Sequence, residues 1–352
     1  MPTEPLVSVV MACSDVEGTV EGCLRSVQAQ DWPRDRLEIL VADGMSMDAT
    51  REILAREAAG DARIHVLDNP ARTQAAGLNE CIREARGEFI VRVDARATYA
   101  ADFVRRCVAV IERTGADTVG GPLRARGTTF FQRCVAAALR SPLGVAGAGT
   151  SARPRGEETD GWVAGAWPGA FRREVLERVG LYDPRAATDE DRDLDQRIAD
   201  AGGRAYQSPE IHAETLPRES LRALGRDAFE RGAGRARTLL KHKRFSALPP
   251  VLPLLGLAGE ATLVATSRGR RIAPWSLAAY ALATGAEAVR IARHEGPLAV
   301  PVVWAIFPAM HVSYAAGFAR GLVRYLFKPD WEPAEKLARP PVEQPTHATA
   351  AR

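Results

Sequence analysis

A chain of 352 residues, 46% hydrophobic and 26% charged, has room for one large globular domain and an appendage, and its composition is neither disordered nor fibrous. Its 47 basic and 44 acidic residues leave a formal charge of only +3, which excludes a dedicated nucleic-acid binder. The five cysteines are widely spaced and never form a C-x-x-C pair, which argues against a disulfide framework or a zinc site and fits a reducing cytosol. The opening MPTEPLVSVVMAC has no basic stretch leading into a long apolar one, so the N-terminal half is expected to stay in the cytoplasm.

Between residues 6 and 120, short apolar runs alternate with longer amphipathic ones. LVSVVMA, LEILVAD, RIHVLD and EFIVRVD read as strands, and Glu17 to Gln30, Asp48 to Ala59, Thr73 to Ala85 and Ala101 to Thr114 read as helices. Strict alternation predicts an α/β domain with a mainly parallel sheet and helices on both faces. Thr128 to Gly161 reads as irregular and glycine-rich. GAFRREVLERVG and TDEDRDLDQRIADAGG then read as helices closed by Gly180 and Gly202, so the domain extends over residues 1–215.

Residues 216–245 are helical in period, dense in arginine, with leucines and Phe229 interleaved. This suits either an interfacial amphipathic helix or a helix packed on the preceding domain, and Lys241 to Arg244 is the cluster that would meet anionic lipid. Residues 246–328 read as an apolar helical region, expected to be membrane-associated, with a buried helical domain of a soluble protein as the alternative. Of its apolar stretches, 245–259, 273–286 and 296–319, only the charge-free last is long enough to cross a bilayer unaided. Basic residues flank every stretch, so the positive-inside tendency assigns no topology. The tail, 329–352, rich in Pro, Ala, Glu and Thr, is expected to be disordered.

In a parallel sheet, ligands sit beyond the carboxyl ends of the strands. Acids stand there: Asp15, Asp43 with Asp48, Asp94, and further on Asp189, Glu190, Asp191 and Asp193. No G-x-G-x-x-G follows the first strand and no G-x-x-x-x-G-K-[ST] occurs, so neither a dinucleotide fold nor a P-loop is supported. A carboxylate at a strand end can accept hydrogen bonds from a ribose or an imide, while one near a pyrophosphate needs a metal or an arginine between them. Singly, each acid is more readily a turn or cap residue. Their recurrence at successive strand ends marks a site.

Five segments in order, VSVVMACSDVEGTVEGCLRSVQAQDWP, LEILVADGMSMDAT, NPARTQAAGLNECIREARGEFIVRVDARATYAADFV, GAFRREVLERVGLYD and TDEDRDLDQRI, resemble glycosyltransferase family 2. Within it they look like the membrane-associated bacterial exopolysaccharide enzymes of the succinoglycan glucosyltransferase kind. The resemblance covers about residues 6 to 235, and weakly HVSYAAGFARGLVRYL. It implies a GT-A fold, a nucleoside-diphosphate-sugar donor, usually a UDP-sugar, and displacement with inversion at the anomeric carbon. It also implies that Ala12 and Glu17 lie against the nucleoside, Asp43 bonds the uracil or ribose, and Arg72 binds the base or phosphates. Asp94 begins a D-x-D-like metal-binding motif, and Asp191, second acid of the pair with Glu190, is the general base. The chemistry agrees, because a sugar hydroxyl is a poor nucleophile until a carboxylate accepts its proton. Acids in a first helical turn are also favoured by the helix dipole alone.

Two departures bear on that pattern. The motif reads DAR, with Arg96 where the usual metal-binding Asp would stand. An arginine cannot ligate a cation, yet its fixed fork can bind a diphosphate and stabilise the leaving group, so a divalent cation, Mn or Mg, is implied by the family and put in doubt by this residue. Asp15 stands where Asn is common. In DGWVAGAWPGAF, Trp162 and Trp167 among small residues suit stacking of an acceptor sugar, or packing on the following helix. Arg226 and Arg231 fall loosely where some relatives carry a diphosphate-binding motif, and lipid contact or solvation explains them equally.

The expected protein is an inverting glycosyltransferase at the cytoplasmic face of the inner membrane. Its partners would be a nucleotide-sugar donor, a lipid-linked sugar or glycan acceptor, and the membrane, in exopolysaccharide or cell-envelope glycan synthesis. The rivals are a glycoside hydrolase with paired carboxylates and a catalytically silent membrane-bound scaffold that has lost its metal site through Arg96. Donor-dependent transfer by the purified protein would eliminate the scaffold.

Overall fold

The computed structural model describes residues 4–144, 160–244 and 251–331. Its first half alternates β1 (Val7–Cys13), α1 (Val20–Gln28), β2 (Leu37–Asp43), α2 (Thr50–Gly60), β3 (Ile64–Asp68), α3 (Gln74–Glu84) and β4 (Phe89–Asp94). These four strands are parallel in the order β3-β2-β1-β4. Successive side chains leave a strand on opposite faces, and both faces here are apolar. Val9, Met11, Ile39, Val41, Val91 and Val93 form one core with α1, α2 and α4 (Phe103–Thr114). Val10, Leu40 and Ile90 form the other with α3 and the later helices α6 (Arg173–Val179) and α7 (Glu190–Asp200).

The remaining strands make the sheet mixed. β6 (Thr118–Gly120), β8 (Gly161–Val163), β9 (Gly169–Arg172) and β10 (Ala205–Gln207) extend it as β4-β9-β6-β10-β8, with β9 antiparallel to both its neighbours. β5 (Ala97–Tyr99), β7 (Leu123–Ala125) and β11 (Ala213–Thr215) form a separate small sheet. Two expectations are thereby corrected. GAFR is a strand and the helix begins only at Arg173, because hydrogen bonds to β4 and β6 on both edges outweigh the local helical pattern. Within the stretch read as irregular, α5 (Phe130–Arg140) is a helix opened by a capping box, Thr129 accepting from Gln132 N–H and the Gln132 side chain reaching back.

Four helices follow: α8 (Leu221–His242), α9 (Leu252–Ala265), α10 (Gly269–Glu295) and α11 (Ala299–Phe327). α8 lies along α11 so closely that a side chain on Gly317 would strike the backbone of Phe229. Arg237, Lys241 and His242 near its C-terminal end turn towards the α/β domain. Asp183, with no exposure, takes Arg237 at 2.8 Å, Lys241 at 2.9 Å and Arg185 at 2.9 Å. Asp193, equally buried, takes Lys241 at 2.6 Å, His242 at 2.8 Å and Arg197 at 3.1 Å, and Arg237 also reaches Asp330 at 2.7 Å. The reading of Lys241 to Arg244 as a lipid-facing cluster is corrected for Lys241 and His242, because buried carboxylates need counter-charge and these two supply it, while Lys243 and Arg244 stay exposed and Arg244 pairs with Asp200.

Among the described residues α11 is the one helix long and apolar enough to cross a membrane by length and composition. One of its faces is covered. Val303, Ile306, Phe307 and Met310 pack with Cys134, Val135 and Ala138 of α5, Leu224 of α8 and Ala288 and Ile291 of α10, and Tyr314 and Phe318 pack on Ala228 and Ala236 of α8. The expected disorder of the tail concerns residues 332–352, which lie outside the described residues together with 245–250.

Burial works against the charges of Asp183 and Asp193, and the Arg, Lys and His donors around them overcome it, holding both carboxyls well below the ordinary range. A depressed carboxyl contributes stability that is present above the unfolded pKa and lost as pH falls through the folded one. Lys241→Met is therefore expected to cost roughly 3–5 kcal/mol in urea denaturation at neutral pH, and the difference from wild type should shrink below about pH 4, where the unfolded carboxyls begin to protonate.

Candidate active site

Parallel pairing sets the carboxyl ends of β1, β2 and β4 side by side: Cys13 is level with Asp43, and Ala12 with Asp94. The loops after β1 and β2 are joined by their own polar groups. Met47 N–H donates to Asp15 Oδ1 (2.7 Å), Ala49 N–H to Glu17 Oε2 (2.9 Å), Glu17 N–H to Asp48 Oδ2 (3.1 Å), and Asp15 N–H to Ser46 Oγ (2.9 Å). Asp43 is fully buried beneath them, accepting from Ser46 Oγ (2.5 Å) and paired with Arg51 Nη1 (2.7 Å), which also reaches Asp68 (2.9 Å). These acids shape the rim, and a nucleoside meeting Asp43 has to take the place of Arg51. The Cβ of Ala12 faces Gly77 of α3. Arg72, at the β3–α3 turn with a left-handed backbone (φ 57°), is exposed and makes no ion pair with a described residue.

Asp94 ends β4. Its N–H donates to the Tyr99 hydroxyl (2.7 Å), and its Oδ1 accepts from Arg96 N–H (2.8 Å) with the Arg96 guanidinium 3.6 Å away. Asp94 and Arg96 thus stay together, each about a quarter exposed. No group of three or more His, Cys, Asp or Glu that could hold an ion exists among the described residues. The motif supplies one carboxylate beside a fixed cation, which does not fit a protein-built metal cage. An ion at Asp94 would have to draw most of its ligands from a donor's phosphates and water.

Two residues earlier on β4 and on the same face, about 7 Å from Asp94 along the strand, stands Arg92, 2% exposed. Its guanidinium pairs with Glu190 Oε1 at 2.9 Å and with Asp191 Oδ1, at the start of α7. It lies over the rings of Trp167 (4.3 Å) and Tyr182 (5.3 Å). Burial opposes the charge of Arg92, and Tyr182 and Glu190 more than offset it, raising its pKa above the usual range. Asp191 keeps a side chain 30% exposed while Glu190 is covered, so of the pair Asp191 is the one open to a substrate hydroxyl. Sequence reasoning passed over Arg92. Its signal was a lone arginine inside FIVRVD, a buried strand position where a charge persists only with partners.

Of the two tryptophans, Trp167 joins this group. Trp162 stands on β8 at the far edge of the sheet, with Arg204 3.5 Å over its ring and Tyr206 at its edge. Arg226 and Arg231 lie on α8, where Arg231 pairs with Asp227 at 2.8 Å. One turn beyond Asp191 on α7, Asp195 fills the space a side chain on Gly165 would need. Burial raises its pKa to about 7, with Arg192 and Arg92 opposing and Asp189 reinforcing the rise.

A mixed α/β sheet of this order, with acids ending β2 and β4 and an acid pair opening α7, defines a GT-A-like glycosyltransferase domain. The Glycosyl transferase family 2 model matches residues 8–180. Over 322 residues, covering 90% of this chain and 95% of the relative, the sequence is 31% identical to succinoglycan biosynthesis protein ExoA of Rhizobium meliloti. The protein belongs to glycosyltransferase family 2 and is a glycosyltransferase related to the succinoglycan biosynthesis enzymes. It is also similar, at 22% identity over 90% of this chain and 97% of the relative, to the dolichyl N-acetyl-alpha-D-glucosaminyl phosphate 3-beta-D-2,3-diacetamido-2,3-dideoxy-beta-D-glucuronosyltransferase of Methanococcus voltae. Among solved structures it shares its fold with the mannosyltransferase PcManGT from Pyrobaculum calidifontis in complex with GDP-Man and Mn2+, at TM-score 0.55 and 24% identity, covering 91% of this chain and 88% of that one.

The raised pKa of Asp195 has a defined consequence for stability. The unfolded chain releases this proton near pH 4 and the folded chain near 7, so stability declines as pH rises between those values and stays lower above them. Asp195→Asn is expected to raise the melting temperature at pH 8 and leave it unchanged at pH 4 or below. Equal shifts at both pH values would show that the carboxyl does not hold its proton.

Proposed function

We propose that the protein transfers a sugar from a nucleoside-diphosphate sugar, a UDP-sugar first among them, to a lipid-linked acceptor with inversion at the anomeric carbon. The observation that carries this reading is the Arg92 clamp, which ties the carboxylate of Asp191 to the strand that ends in Asp94, with Arg96 in the turn just beyond it. Proton acceptor and phosphate-binding end are thereby a fixed distance apart. In the reaction the acceptor hydroxyl gives its proton to Asp191 Oδ as its oxygen bonds to the anomeric carbon. The bond from that carbon to the diphosphate breaks on the opposite face, and the nucleoside diphosphate leaves with the electron pair. Arg96 meets the growing charge of the leaving group, with Arg72 as a second cation at the rim. Glu190 and Arg92 hold Asp191 in position, and Trp167 offers its ring to the acceptor.

The names of two relatives support the setting: one is a succinoglycan biosynthesis protein, and the other acts on a dolichyl-linked sugar phosphate. A lipid-linked acceptor places the enzyme at the cytoplasmic leaflet, in the assembly of an exopolysaccharide or cell-envelope glycan. The apolar C-terminal helices suit attachment there.

Asp191→Asn is expected to leave UDP binding within about twofold and to lower turnover by at least the 10²-fold typical of a lost general base; equal loss of both would mean that another residue is the base. Calorimetric titration with UDP, with and without Mn2+, on wild type and Arg96→Asp tests the phosphate end. Metal-free binding in the wild type that collapses in the variant is expected. Binding only with Mn2+ would return Arg96 to a peripheral role, and failure of every nucleotide to bind would point to a silent scaffold.

A further inference from the structure

The C-terminal helices differ in how they are covered: α11 is packed along one face, the second half of α10 joins that packing, and α9 with the first part of α10 is largely uncovered. α11 is held along most of its length by α5 and α8, and α8 is pinned to the catalytic domain by the buried pairs of Asp183 and Asp193. A helix fixed in this way cannot thread a bilayer without drawing those charges towards hydrocarbon, where an ionised side chain is costly. α9 is the opposite case. It is apolar all round, none of its residues is buried, and its one charged group, Glu260, has a carboxylate oxygen turned inward out of contact with solvent. Trp275 and Leu282 on the first part of α10 are 76% and 74% exposed. A helix hydrophobic on every side is stable only under protein or lipid.

The turn joining α9 to α10 says which. Arg268, Arg270 and Arg271 are exposed there and form no ion pair with a described residue. A second copy of the chain seated on this face would bring its own three arginines to the same interface and add no net counter-charge for them from this segment. Anionic lipid headgroups complement them, and Trp275 follows within two turns, in the order cation, indole, aliphatic run of an interfacial segment.

We propose that α9 and the apolar first part of α10 enter one leaflet of an anionic bilayer, while α11 stays on the protein side and crosses nothing. This rests on the membrane-surface reading above and makes it specific: attachment is one-sided, and the catalytic cleft is joined to the lipid plane through α11 and α8.

The test uses the full chain with vesicles of phosphatidylcholine alone and of phosphatidylcholine with phosphatidylglycerol. Flotation is expected with the anionic vesicles, and the triple variant Arg268→Gln, Arg270→Gln, Arg271→Gln is expected to reduce partition on the order of 100-fold at low salt. Its UDP binding should be unchanged, which controls for folding. Sidedness is read with cysteines introduced at the two ends of α11, Pro297→Cys and Lys328→Cys, since all five native cysteines are buried. A membrane-impermeant maleimide on sealed vesicles should label both from the face that carries the catalytic domain. Labelling from opposite faces would overturn the proposal and leave the membrane-surface reading standing. Absence of flotation from every vesicle would overturn both, and absence of flotation with dimerisation in detergent-free solution would assign the apolar face to a second copy.

Discussion

A guanidinium inside a β-sheet is the constraint around which this molecule is arranged. Removing an ion from water costs several kcal/mol even in a relaxed protein interior, and Arg92 is tolerated on β4 only because two carboxylates and two aromatic rings surround it. Those partners come from the 167–191 region, far along the chain. Satisfying one buried charge therefore draws the Trp167 segment and the first turn of α7 onto the end of the sheet. That requirement brings Glu190 and Asp191 to the end of β4, beside Asp94.

The same requirement propagates outward. α7 carries Asp193 as well as Glu190 and Asp191, and the buried Asp193 calls for Lys241, His242 and Arg197. Lys241 in turn bridges to Asp183, which receives Arg237, which reaches Asp330. A line of ion pairs thus runs from α7 to the end of the C-terminal helices. Breaking one partner of such a line is destabilising because the other is left charged and dry, so the helical region is part of the catalytic domain's own architecture.

At the position of the family's usual metal-binding Asp this chain sets a guanidinium beside a single carboxylate. Arg96 is tethered to Asp94 by a short turn and stands partly exposed at the strand end. A guanidinium there is permanently charged and directional, and it needs no ion to be recruited.

The amino-acid sequence by itself determined the α/β class, because period-two and period-3.6 apolar patterns are local and survive without tertiary information: each of the first four strands and helices lies where its pattern places it. It also determined the family, since that rests on short contiguous segments. Only the tertiary structure decided which polar residues are free. Asp15, Glu17 and Asp48 stand at strand ends as Asp94 does, yet their carboxylates take backbone N–H groups that join two loops, and Asp43 is engaged by Arg51. Lys241 read as a surface cation and is buried. GAFR read as the start of a helix and is a strand, because its hydrogen-bonding partners are β4 and β6. The reason is common to all of these: a side chain's chemistry is written at its own position, but its availability depends on which distant residues pack against it, and that is settled only when the buried charges find their partners.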